Sequence, residues 1–181
     1  MPDTYQDLVE HADFQAEGLR EPGWALSEVR AQSEGGALTL RPASTGEAGV
    51  WDASGEIGER LIAALSQDRL QGDHLSWQGR VRRDTAGWHL RGDAQARALE
   101  AEGRTLATAN GPLDLDYAGA LLRIDTQLSL DGIGTGQETL DTALADGAHL
   151  ALTGQWQGAD RLIDIEQALL TSPAGQMTAS G

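Results

Sequence analysis

The sequence has no cysteine and no lysine, a single phenylalanine and two tyrosines. Without cysteine, neither a disulfide framework nor a thiolate metal site can form, and the redox state of the compartment is left open. The 13 basic residues are all arginine and face 28 carboxylates, for a net charge of −15. That balance opposes nucleic acid, whose phosphates need a basic surface. It also opposes long-range attraction to an anionic bilayer. No stretch reaches the ~18 apolar residues of a membrane-crossing helix. The opening MPDTYQDLVEHADF has neither the basic region nor the apolar core of a signal peptide. The closing TASG falls where a strand is ending, so both ends read as cuts in a longer chain.

What is present is alternation. In Pro112 to Leu130, PLDLDYAGALLRIDTQLSL, Leu113, Leu115 and Tyr117 point one way while Asp114 and Asp116 point the other. After the turn Ala118-Gly119-Ala120, Leu122, Ile124, Leu128 and Leu130 continue the apolar face, and Arg123, Asp125, Gln127 and Ser129 the polar one. A period of two on both arms means an antiparallel pair with one apolar and one solvated face.

Other stretches repeat that design. Leu38 and Leu40 alternate with Thr39 and Arg41, and strands are expected at Val50–Ser54, Leu75–Val81, Trp88–Ala98 and Thr105–Ala109. Leu150, Leu152 and Trp156 form a further strand, Ile163 and Ile165 another, and Met177 and Ala179 a last one. Earlier in the chain, Thr4–Ala12 is expected as a short helix, and Trp24 and Leu26 open a strand region. The period changes to helical over Glu56–Leu70, with Gly72 as the expected stop, and again over Glu138–Ala145.

The pieces recur in order. ExLxxAL occurs at Glu59–Leu65 and Glu138–Leu144. A His-Leu pair follows each, at His74-Leu75 and His149-Leu150, with a glycine four residues beyond the leucine at Gly79 and Gly154. We read one β-rich segment with degenerate repeats at about 1–55, 56–132 and 133–181.

Reaction chemistry is sparse. The four histidines, His11, His74, His89 and His149, show no metal-ligand spacing, and a structural or solvent-facing role is expected for each. There is no nucleophile elbow and no phosphate loop. Gly132-Ile133-Gly134-Thr135-Gly136 lacks a βαβ setting and reads as a turn. Asp114 and Asp116 share a face, as paired glycosidase carboxylates would, but Asp125 and Asp164 recur with the same regularity. A solvated exterior accounts for all four, and no enzymatic activity, cofactor or metal is expected. Small residues in the interior row, Ala94, Ala96, Ala98, Gly154 and Ala179, leave room for something slender such as an acyl chain.

Glu138 to Gly181 resembles the repeat texture of the TamB and AsmA-like proteins: a short helix, an xLxLxG strand, a charged turn, an I-x-I strand and a closing A-S-G. Glu59 to Gly103 resembles it more loosely. The resemblance implies an elongated, curled antiparallel sheet (a β-taco) with an apolar groove and two or three short helices. It implies a periplasmic segment of an envelope-biogenesis protein, anchored in the inner membrane by a part of the chain outside this one. Its work would be to conduct phospholipid towards the outer membrane, or to assist outer-membrane protein assembly and secretion beside a TamA-like barrel partner. Expected occupants are acyl chains or unfolded β-strand clients, with Leu113, Leu115, Tyr117, Leu122, Ile124, Leu128, Leu130, Leu150, Leu152, Trp156, Ile163 and Ile165 lining the groove. The two helices depart from an uninterrupted taco. Two alternatives stand beside this reading: a carbohydrate-binding sandwich using exposed tryptophans, and a closed structural β domain.

Overall fold

A computed structural model describes residues 13–17, 28–33, 35–119, 121–157 and 162–181, in backbone only at 13–17, Leu65, Leu162 and Ile163. The expected helix at Thr4–Ala12 and the strand start at Trp24 and Leu26 lie outside these residues. Eleven strands lie in one sheet in chain order, each antiparallel to the next. They are β1 (Asp13–Glu17), β2 (Glu28–Ser33), β3 (Gly36–Pro42), β4 (Val50–Gly58), β5 (His74–Arg83) and β6 (Trp88–Ala101). Then come β7 (Arg104–Ala118), β8 (Leu121–Gly134), β9 (Ala148–Gln157), β10 (Leu162–Ser172) and β11 (Gly175–Ala179). The sheet curls without closing, with an apolar groove on one face. Because it is one open sheet, it is neither a sandwich nor a closed barrel.

A uniform register makes the sequence alternation additive across strands. One row of cross-strand partners runs Val29, Leu40, Ala53, Gly79, Gly92, Leu113, Thr126, Leu152, Ala168, Ala179, from β2 to β11. At ~4.8 Å between strands those ten strands span roughly 43 Å. The only register shift among the described residues falls between Ile165 and Gln167 in β10. It resolves the awkward run Ile163-Asp164-Ile165-Glu166-Gln167-Ala168-Leu169-Leu170. One extra residue moves the apolar phase from odd to even numbers, so Ile165 and Leu170 both join the apolar rows.

Several elements differ from expectation. Thr105–Ala109 and the Pro112 arm are one strand, β7, because the backbone continues through Gly111 and Pro112. The first helix, α1 (Glu59–Ser66), is eight residues long and shorter than the periodicity suggests. Its would-be first turn stays in β4, where Ile57 pairs with Leu75. It ends at Gln67, not Gly72: Gln67 and Asp68 take left-handed angles, and their amides donate to Ala64 and Ala63 carbonyls. The second helix, α2 (Glu138–Ala143), is six residues long. Ala98 is exposed, not interior. Its left-handed φ of 50°, with that of Gly132 at 65° two strands away, reverses the alternation at this end of the sheet. Leu99, Leu106 and Ile133 therefore pack on the core of Ala96, Ala109 and Leu130. Ala179 is likewise exposed.

Both helices leave the sheet at the same lip. α1 follows β4 and α2 follows β8, and Gly58 and Asp131 near those strand ends belong to one row through His74, Arg97 and Thr108. Ile62 of α1, 2% exposed, is the most buried large side chain among the described residues. α1 thus buries a side chain at this lip, whereas neither helix lies at the other.

Candidate functional site: an apolar groove with an aromatic lip

The face is built from rows of side chains. Trp51, Val81, Leu90, Leu115, Ile124, Gly154 and Ile165 are successive partners from β4 to β10. The next row outward is Arg83, Trp88, Tyr117, Leu122 and Trp156. Most of these side chains are half-buried, as expected of apolar groups that pack sideways on neighbours but lack a layer above them. The five large apolar side chains that are exposed among the described residues, Leu38, Trp88, Tyr117, Ile165 and Met177, all belong to this face. A soluble fold seldom gathers its exposed large hydrophobics on one contiguous surface unless that surface binds something.

Of the residues expected to line the groove, Leu113, Leu115, Tyr117, Leu122, Ile124, Leu128, Leu150, Leu152, Trp156 and Ile165 share the face in register. Leu130 shares it too, but is buried with Ala96 and Ala109 at the packed end. Only the backbone pairing of Ile163 with Trp156 is described. The sequence reading left out half the face. Leu38, Trp51, Ile57, Leu75, Trp77, Val81, Trp88 and Leu90 from β3 to β6 continue the same rows. The signal was present in the same period-two alternation that marks these strands in the sequence, interrupted by Gly55, Gly79 and Gly92.

A recess of about 430 Å³ on this face is lined by Leu38, Ile57, Leu75, Trp77, Ala96 and Leu113, among others. Trp77 lies between Gly55 and Ala94 in its row, and its indole Nε1 is buried with no hydrogen-bond partner. Towards the aromatic lip, Trp51 and Trp88 lie two strands apart, yet their ring centroids are 6.1 Å from each other, with Val81 of the intervening strand buried. The guanidinium of Arg83 sits 5.2 Å from the centre of the Trp88 ring, a cation–π distance.

The opposite face is polar and mostly paired. His89 Nδ1 lies 2.5 Å from Asp116 Oδ1, and its Nε2 lies 3.3 Å from Asp84. The Asp116 carboxylate first, and Asp84 second, hold the imidazole pKa above its ordinary value. Asp84 is in turn held below the usual carboxylate range by the Ala86 amide and by His89. Asp114 faces Arg91 at 3.7 Å. Asp114 and Asp116 thus each face a basic side chain on β6, in keeping with the solvated-exterior reading. A second depression, about 630 Å³, is lined by Thr39, Ser54, Gln78, Asp93, Gln95 and Asn110, among others.

Among the described residues, no three or more His, Asp or Glu side chains are grouped to hold a metal ion, and no helix is long and apolar enough to cross a membrane. No protein-family model, curated protein or solved structure matches this chain, so the geometry of the groove carries the functional reading.

Proposed function

We propose that this chain is a groove-forming segment of an envelope-biogenesis protein, which shields acyl chains of phospholipid, or an unpaired client strand, as they cross the periplasm. The supporting observation is the single open sheet whose continuous apolar face carries all of the exposed large hydrophobics among the described residues. A slender apolar guest would complete what the fold leaves without a covering layer, at roughly 25 cal/mol for each Å² removed from water. The likeness of Glu138 to Gly181 to TamB and AsmA-like repeats supports the same reading, as does the spacing of four strands, β5 to β8, between the two helices. In this proposal the helix-plus-four-strand block is the repeating unit, a TamA-like outer-membrane barrel is the partner, and an inner-membrane anchor lies elsewhere in the protein.

The sugar-binding alternative asks for a row of freely exposed indoles. Trp51, Trp77 and Trp156 are half-buried, and among the described tryptophans only Trp88 is exposed. The test is site-specific photocrosslinking in the intact envelope, with the probe at Leu115, Ile124 or Leu152 and controls at Asp116 and Asp125. Phospholipid adducts at the three apolar positions alone are the expected result. Protein adducts confined to them would select client strands, and silence from a folded protein would retire the groove.

A further inference from the structure

Arg83 is out of place. Across the rows that make up the apolar face, from Arg83–Trp88–Tyr117 at the aromatic lip to Ile57–Leu75–Ala96 near the helices, every other described residue is uncharged. The other arginines of β5 and β6 near this lip point to the polar face and meet carboxylates there. Arg80 pairs with Asp52, Arg82 with Asp84 and Arg91 with Asp114. Arg83 makes no ion pair with any described residue, and its guanidinium lies over the Trp88 ring.

A guanidinium stacked on an indole keeps its edge donors free, and those donors match a phosphate or carboxylate in fork geometry. Tyr117, the exposed cross-strand partner of Trp88, adds a hydroxyl on the same lip. Below it lie Val81, Leu90, Leu115 and Ile124, with no other charge in their row.

We propose that this lip is the headgroup locus for an anionic amphiphile. The negative group would sit on Arg83 between Trp88 and Tyr117, and the aliphatic tail would lie along the Leu90–Leu115–Ile124 row. The inference rests on the groove reading above and adds to it a polarity, with the head at the aromatic lip and the tail laid inside that lip along the apolar row. A net charge of −15 disfavours docking on an anionic bilayer, so the occupant is a single extracted molecule, not a membrane surface.

The test uses the whole 181-residue chain and three single-tailed probes of equal chain length, below their micelle concentrations. They are palmitoyl lysophosphatidylglycerol (phosphate head), palmitate (carboxylate head) and monopalmitoylglycerol (uncharged), each titrated by calorimetry. The wild type is expected to favour the anionic probes over the neutral one by about tenfold, the size of one charge-assisted contact. R83Q should erase that preference and leave the neutral probe unchanged, while R91Q on the polar face should keep it. A larger R83Q effect on the phosphate probe points to phospholipid, and a larger effect on palmitate to free fatty acid. If R83Q binds all three as the wild type does, the headgroup assignment is wrong and the groove survives. If the folded wild type binds none of them, the groove reading falls as well.

Discussion

Gly79 of β5 and Gly92 of β6 face each other so closely that neither has room for a side chain. A methyl group built on Gly79 would lie 2.2 Å from the Arg91 carbonyl oxygen and 2.5 Å from the Gly92 Cα. One built on Gly92 would lie 2.2 Å from the Gln78 carbonyl oxygen. Both hydrogens point into the apolar face, in the row that contains Ala53 and Leu113. The pair leaves a crease without side chains in that face, where β5 meets β6.

Substituting either crease glycine by alanine forces backbone, not a flexible side-chain tip, to give way. We expect G79A or G92A to cost about 2–4 kcal/mol, read as a shift in the urea midpoint. The changed curl should also loosen capture at Leu115, on a neighbouring row. G103A makes a control: a methyl group there meets open space, and only its left-handed φ of 76° is strained.

Thr126 is the one buried polar side chain on the apolar face among the described residues, and its hydroxyl donates to the Pro112 carbonyl at 2.8 Å. Pro112 contributes no amide to the β7–β8 ladder, and the pairings there skip Gly111 and Pro112. T126V keeps the shape but leaves that carbonyl without its donor. The expected cost is about 1–2 kcal/mol by thermal or chemical unfolding, whereas T126S should cost less because it keeps the hydroxyl.

His89 gives a pH signature. Its folded-state pKa is raised above 6.5, so the protonated ring is favoured by folding. The stabilisation is fully present below 6.5 and is lost as pH rises through the folded value. An NMR titration of the ring should therefore show a midpoint above 6.5, with D116N lowering it more than D84N. A midpoint at or below 6.5 would contradict the pairing with Asp116.

How much of this was legible beforehand depends on the residue. Leu113, Leu115, Leu122 and Ile124 declared their face because β7 and β8 alternate cleanly and a uniform register carries that alternation from strand to strand. Period two is a local property of an extended backbone, and it survives folding unchanged. Ala98 was misplaced because a single left-handed residue reverses the alternation, and nothing in an alanine announces that angle. Ile57 was read into a helix because Ile57, Leu61 and Leu65 have helical spacing. Nine continuous residues of pairing between β4 and β5 outweighed that local preference.

The chain's order of residues was enough to determine that it forms antiparallel strands with one apolar and one polar face, because each strand's own alternation encodes it. Tertiary structure alone decided that the faces merge into one open sheet, that the two helices share a lip, and that Arg83 lies beside Trp88 and Tyr117 on the other. Apart from the pairing of Arg83 with Trp88 across one turn, those relations join residues tens of positions apart, and they depend on register, on one bulge in β10 and on the crease at Gly79 and Gly92. No local pattern specifies them, since each comes from how neighbouring strands settle against one another.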